Sequence, residues 1–442
     1  MNAPENAQIT SLWTGKRFYI AVLLFFNLFI NYIDRVNLSI AAPAIAKDFK
    51  WDPAMMGIVF SAFLWTYALC LVPIGWLVDR FGTRRVNAVS VAIWSAGAML
   101  TGAITNLGNM IAARLALGAG EAASWPNAGK VVREWFPADE RALAMSVANA
   151  GSYAGPAIMS PIIAWIVLQT SWRWSFVILG ATGIIWVFVW LKMFRAPKEC
   201  PWLPAAERNY ILARTDDRSG AKRSTEVPKG AVLRLLSRRT MWGIFLTQGC
   251  CIYTMYLYLT WLPSYLVKAR GMQLMKASLF NAVPYVIAVV LGIYFGRLSD
   301  KILTPEALLQ GKRRTLLIVF MLLSSTVLLV TVTKNEWLAL LLISWSLSCI
   351  STASVLNNAL ANDLVENPNM VGTTVGILIL GGNTFGMSAP IITGFIVKAT
   401  GSFDSAFFLA GGLLIVGALI SFTMTKRPLK FEEDELAMKS SV

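Results

Sequence analysis

The sequence predicts an all-α membrane protein of about twelve transmembrane helices, arranged as two six-helix bundles. Three observations predict it: an apolar, charge-poor composition, helix-length apolar runs on both sides of one charged stretch, and a motif that recurs half the chain later. Of 442 residues, 56% are hydrophobic and 14% charged, whereas soluble domains carry about 25% charged residues.

Apolar runs fall near 18–46, 55–78, 87–105, 108–132, 142–168 and 174–194, and again near 241–267, 277–298, 314–333, 337–362, 371–399 and 404–425. Each is long enough to cross a hydrocarbon core as a helix, which takes roughly 20 residues. The expected organisation is an N-terminal bundle over 1–194, a linker over 195–240 rich in Lys and Arg, and a C-terminal bundle over 241–442. Within the linker, Pro204–Glu207 opens an amphipathic segment through Leu212, read as a solvated connector.

Loop charge sets the orientation. One set of loops holds Lys16, Arg17, Arg80, Arg84, Arg85, Lys130, Arg133, Arg141, the linker cations, and Arg297 through Arg314. The other set, with Lys47, Lys50, Arg173 and Lys268 among its members, is several times poorer. The richer side is expected to be cytoplasmic and to hold both termini, in a cell inner (plasma) membrane. The same rule accounts for the net charge of +15, so a nucleic-acid partner is not expected.

Other chemistries lack their residues. There is no histidine, which removes histidine relays, histidine metal sites and serine–histidine catalysis. The five cysteines, Cys70, Cys200, Cys250, Cys251 and Cys349, follow no metal or disulfide spacing. No cofactor and no metal are expected, and no enzyme activity.

The repeat is Gly75-Trp-Leu-Val-Asp79-Arg80-Phe-Gly82-Thr-Arg84-Arg85 after the second run, and Gly296-Arg297-Leu-Ser-Asp300-Lys301, then Lys312-Arg313-Arg314, after the eighth. Each sets a glycine, an aspartate four residues on and a basic cluster at a helix end. Two related halves are a transporter architecture. These charges lie outside the apolar runs, where charge is cheap. Asp79, Arg80, Arg84, Arg85 and Asp300 therefore read as a gate, with Asp79 paired to nearby arginines, rather than as a proton site.

Deep in the apolar runs stand Asp34, Arg35, Arg114 and Glu121, all in the N-terminal half. A charge at a bilayer centre costs about 2.5–3.5 kcal/mol on insertion scales, which makes an intramembrane ionisable group a functional-site hypothesis. Arg114 and Glu121 are two helical turns apart on one face, with Gly118 between them to admit a neighbouring helix or a ligand. Two acids and two bases neutralise one another, and a buried acid can take up a proton. The planar fork of Arg suits a carboxylate.

The Gly75–Arg85 segment is similar to the loop motif of the major facilitator superfamily, and Arg114-x-x-x-Gly118-x-x-Glu121, Gly151-x-x-x-Gly155-Pro156 and Trp172-Arg173-Trp174 also fit it. Within the superfamily the chain resembles the anion:cation symporters, through Tyr32-Ile-Asp34-Arg35, Phe60–Phe63, Glu121–Pro126, Trp135-Phe136-Pro137-x-x-Glu140-Arg141-Ala142 and Leu259–Leu266. The resemblance, which extends to bacterial galactonate and other sugar-acid:proton symporters, implies the major facilitator fold. It also implies uptake of an organic anion together with protons. It makes Asp34 and Glu121 the proton-coupling acids and puts Arg35 at the substrate carboxylate. It places Tyr32, Tyr67 and Gln248 in the cavity wall.

The chain departs from those symporters at Ser152, where they have Gln, with Tyr153 next to it. It departs again at Ser351, Asn357 and Asn358 in the tenth span, and at Ile379, with Asn383 one turn later. With Arg114, these residues complete the expected substrate-binding set. The expected partners are a small organic anion, protons and the lipid bilayer, with the chain acting as a monomer. The alternative is an anion exchanger for a phosphorylated metabolite and phosphate, which would use one arginine from each half. The seventh span has Gln248 and no deep Arg.

Overall fold

The structure, a computed structural model, describes residues 15–216, 231–365 and 370–429, and all that follows concerns these. The first half consists of α1 (Phe18–Phe49), α2 (Pro53–Phe81), α3 (Thr83–Gly102), α4 (Leu107–Glu121), α5 (Ser124–Trp135), α6 (Arg141–Gln169) and α7 (Trp172–Met193). Then come α8 (Ala205–Asp216) and α9 (Ala231–Leu236) of the linker. The second half runs through α10 (Arg239–Lys268), α11 (Leu274–Ile302), the short α12 (Pro305–Leu309), α13 (Lys312–Ser324), α14 (Glu336–Leu364), α15 (Val371–Thr400) and α16 (Asp404–Met424). A 3-10 turn over Ser325–Thr331 prolongs α13. Counting α4 and α5 as one broken span, each half has six spans, the architecture the hydropathy predicts.

The fourth run, expected to be continuous over 108–132, is broken at Ala122 and Ala123. Pro126 supplies the reason. It has no N–H for the carbonyl of Ala122, and its ring crowds that carbonyl. Among the described residues, nine helices are long and apolar enough to cross a membrane by composition. α4 and α5 are each too short, with 15 and 12 residues, while α3 and α10 carry polar side chains that the fold buries, such as Asn87 and Ser95 on α3 and Gln248 on α10.

The chain divides into two compact units, Met1–Trp51 with Val59–Arg223 and Gln273–Ala282, and Asp52–Ile58 with Ser224–Met272 and Val283–Val442. In the first unit α1 packs closely on α6. A Cβ at Gly151 would stand 2.2 Å from the Phe25 carbonyl oxygen, and one at Gly155 2.8 Å from that of Phe29. Small residues let two backbones approach in a medium that offers no hydrophobic force between helices. The second unit repeats the device: Gly381 sits against the Phe245 carbonyl of α10, and Gly386 against the Tyr256 ring. Its Asp52 accepts from Lys398 at 2.8 Å, which holds that carboxyl below the usual carboxylate range. The sequence repeat has a backbone counterpart. Gly82 and Gly311, each in a positive-φ conformation (81° and 72°), immediately precede α3 and α13.

The linker is more than a solvated connector. Arg17, fully buried, donates to both Glu140 oxygens at 2.7 and 2.6 Å and to Glu207 of α8 at 3.0 Å. The Glu207 carboxylate also accepts the backbone N–H groups of Lys16 and Arg17. Burial works against the Arg17 charge, but the hydrogen bonds and charges of Glu140 and Glu207 outweigh it and hold the guanidinium above its ordinary pKa. Trp202 stacks on Trp135 with ring centroids 5.7 Å apart. Together these contacts clasp α8 to the start of α1 and the end of α5.

Candidate functional site

The four deep charged residues of the first unit converge. Arg35, at mid-length on α1, donates through Nε to Glu121 Oε2 at 2.9 Å. Glu121 is the last residue of α4, at the lip of the helix break. Asp34 lies within electrostatic reach of Glu121, Arg114 and Arg35. All four are buried, with relative exposures of 2% for Asp34, 8% for Arg35, 2% for Arg114 and 0% for Glu121.

Aromatic rings surround the guanidinium of Arg35: Tyr32 and Phe63 at 4.7 Å and Tyr67 at 5.2 Å from its central carbon. Phe63 also lies 5.8 Å from that of Arg114. Ring faces attract a desolvated cation by about 2 kcal/mol or more, so the cage supports charge without neutralising it. Gly118 admits a neighbouring helix, since a Cβ there would come within 2.1 Å of the Phe63 carbonyl oxygen of α2. That approach sets Phe63 between the two arginines.

Within this cluster Asp34 Oδ2, Glu121 Oε1 and Arg114 Nε and Nη1 have no hydrogen-bond partner among the described residues. Buried polar groups demand partners. Arg114 Nε and Nη1 lie on different edges of the guanidinium, so each can meet a separate acceptor oxygen, and a proton suits either carboxyl oxygen.

The remaining expected residues are distributed differently. Ser152, on α6, donates to the Asn149 carbonyl of its own helix at 2.7 Å. Tyr153 beside it is half-buried. In the second unit Gln248 donates to Ser354 Oγ at 2.8 Å and accepts from Asn357 at 3.0 Å. Asn357 is fully buried and donates also to the Ile244 carbonyl, tying α14 to α10. Asn358 donates to the Ser354 carbonyl of its own helix. Ser351 and Asn383 are half-buried on α14 and α15.

Of the expected gate, Asp79 is mostly exposed and pairs with Lys130 at 3.2 Å, not with an arginine. The α5 helix brings Lys130 to the end of α2, where its ammonium also reaches the Val78 carbonyl. Arg80 covers the Trp76 ring, Arg84 donates to the Leu191 carbonyl, and Arg85 is exposed. Asp300 belongs to α11, with its side chain outside the described part of the structure.

Sequence reasoning left Phe63, Asn31 and Ser124 out of the site. Phe63 is one turn before Tyr67, and Asn31 one turn before Arg35. Helical spacing from residues already singled out was the signal for both.

The helices, the repeated halves and the buried charges define a multi-pass membrane transporter. Residues 24–367 match the Major Facilitator Superfamily, and the chain belongs to it. It is 34% identical to the probable galactarate/D-glucarate transporter GudP of Bacillus subtilis, over 94% of this chain and 93% of that one. It is 30% identical to a D-galactonate transporter of Escherichia coli over 95% and 97%. With the probable sulfoacetate transporter SauU of Cupriavidus necator it shares 34% identity over 89% and 90%. In fold it is similar to the inward-open xylose transporter XylE of E. coli, with a TM-score of 0.73 at 13% identity over 95% of this chain and 99% of that one.

Proposed function

We propose that this protein is a secondary active transporter that carries a sugar acid or related carboxylate inward together with protons. The observation that carries the reading is the buried set Asp34, Arg35, Arg114 and Glu121, with the Arg114 donors open and Arg35 held by Glu121. With both acids ionised, the set is neutral. A carboxylate bound at the arginines adds a negative charge to a low-dielectric interior, where charges interact strongly. Proton uptake by Asp34 or Glu121 removes that penalty, so anion and proton favour each other's binding. Arg114 and Arg35 hold the carboxylate, and Tyr32 and Tyr67 line its pocket. Gln248, Ser351, Asn358 and Asn383 supply hydrogen bonds to hydroxyl groups. The names of the relatives, galactarate, glucarate and galactonate transporters, support an acid sugar.

The exchanger reading calls for a deep arginine in the seventh span, where Gln248 is bonded to Ser354 and Asn357 instead. Loop charge supports an inner-membrane protein with both termini in the cytoplasm. Asp79, Arg80, Arg84, Arg85 and Asp300 act at the cytoplasmic helix ends as a gate, and the chain works as a monomer. Uptake of galactonate and glucarate into proteoliposomes, with and without an inward proton gradient, tests the reading. Accumulation only with the gradient is expected; equal uptake without it overturns proton coupling.

A further inference from the structure

We propose that a chain of buried waters, oriented by a ladder of asparagines between α1 and α5, carries the proton from Glu121 toward the cytoplasmic end of α1. The proposal rests on the proton-coupled reading above. Asn27, Asn31 and Arg35 follow one another at four-residue spacing on α1, about 6 Å per step along one face. Across from them, Glu121, Ser124 and Asn127 follow at three-residue spacing through the helix break. The two rows meet at two rungs. Arg35 donates to Glu121 at 2.9 Å, and one turn on Asn31 donates to Ser124 Oγ at 3.1 Å. By helical spacing, Asn27 on α1 and Asn127 on α5 continue the two rows one turn further. Asn27 Oδ1 accepts from Asn87 Nδ2 of α3 at 3.0 Å and from Trp186 Nε1 of α7 at 3.3 Å.

These asparagines are all but fully buried. Yet Asn31 Oδ1, Asn27 Nδ2, Asn87 Oδ1 and both amide atoms of Asn127 have no hydrogen-bond partner among the described residues, nor has Glu121 Oε1. Helix-to-helix hydrogen bonding accounts for Asn27 with Asn87, but not for Asn127, which bonds to neither neighbour. Amide groups left so in a protein interior cost about 1–3 kcal/mol each. Buried water relieves that cost where two to four polar atoms converge. The open atoms include donors and acceptors, as a water file requires.

The proton leaves the Glu121 carboxyl for the first water, which passes one of its own protons to the next. Each water forms one O–H bond and breaks one, and Glu121 returns to a carboxylate facing Arg35 Nε. The asparagines hold the waters and exchange no proton. Beyond Asn27 and Asn127 the buried side chains turn apolar, at Leu24 and Leu23 on α1 and Val131 on α5. A file open along its whole length would leak protons without substrate; the last water therefore gives its proton to cytoplasmic water only when this apolar stop opens to solvent in the transport cycle, breaking one O–H bond as solvent forms one.

The test uses the full chain in proteoliposomes with an internal pH dye. Asn127→Leu fills the path with hydrocarbon, while Asn127→Ser keeps a small polar group and room for water. For Asn127→Leu we expect gradient-driven galactonate uptake and proton entry to fall about tenfold, a barrier of roughly 1.4 kcal/mol. Galactonate exchange at equal pH, which needs no net proton movement, stays within about twofold, and Asn127→Ser restores uptake. Wild-type uptake by Asn127→Leu, or equal losses of uptake and exchange, overturns the proposal; the second result marks Asn127 as a packing residue. The wild type supplies a readout independent of folding. Gradient-driven uptake slowed by about twofold or more in D2O, with exchange unaffected, is expected of proton transfer along water; equal effects on both overturn the file. A wild type indifferent to the gradient fails the proton-coupled reading itself, and the file with it.

Discussion

Arg35 on α1 and Glu121 at the end of α4 are joined by a 2.9 Å hydrogen bond inside the protein, between residues 86 apart in sequence. The direct partner of the buried glutamate therefore comes from another helix, not from Arg114 two turns back on its own. One Glu121 oxygen is fixed by Arg35, and the other has no partner among the described residues.

Glu121→Gln keeps an acceptor for Arg35 Nε and mimics the protonated acid. The variant is expected to bind galactonate within a few fold and to exchange it across the membrane, while accumulation driven by a proton gradient disappears. Counterflow and gradient-driven uptake on the same proteoliposomes check this. Full accumulation by the variant rules Glu121 out as a coupling acid.

Arg35→Lys retains the charge but loses the planar fork and its stacking among Tyr32, Phe63 and Tyr67. Substrate affinity is expected to fall about tenfold or more, in line with the roughly 1.5–3 kcal/mol of a hydrogen bond to a charged group. Substrate-induced thermal stabilisation over a concentration series reads the affinity, and an unchanged midpoint removes Arg35 from the binding role.

Gly118→Ala tests the packing behind the site. Its Cβ would overlap the Phe63 carbonyl, so α2 must shift, at about 1–3 kcal/mol. Because Phe63 lies beside both arginines, transport is expected to drop more than expression does. Wild-type uptake from Gly118→Ala would show that the position of α2 does not govern the site.

Arg17→Met leaves Glu140 and Glu207 buried without their cation. Breaking a buried pair in this way costs about 3–5 kcal/mol, so the melting temperature in detergent is expected to fall by several degrees. Replacing both glutamates by glutamine in the Arg17→Met background should recover part of the loss. A melting temperature unchanged by Arg17→Met shows that the clasp contributes nothing to stability.

The sequence made the spans legible because a bilayer allows few ways to satisfy a backbone, and apolar runs of helix length announce themselves. Asp34, Arg35, Arg114 and Glu121 stood out for the same reason, as charges where charge is costly. The break after Glu121 was hidden by apolar residues on either side, with Pro126 its only local mark. Arg17 and Glu207 are 190 residues apart, and no periodicity connects them. The same holds for Lys130 with Asp79 and for Asn357 with Gln248: helical spacing proposes partners on one helix, whereas tertiary packing selects them from another.

The two pieces of the broken span have a consequence for how the protein sits in its membrane. At about 1.5 Å per residue neither α4, with 15 residues, nor α5, with 12, reaches across a core of about 30 Å. Neither piece can partition into lipid as an independent stem, and the joint between them carries an acid. In the folded protein α1 presents Arg35 to that acid and Asn31 to Ser124 at the start of α5. The stability of the fourth span in lipid is thus tied to its contacts with α1.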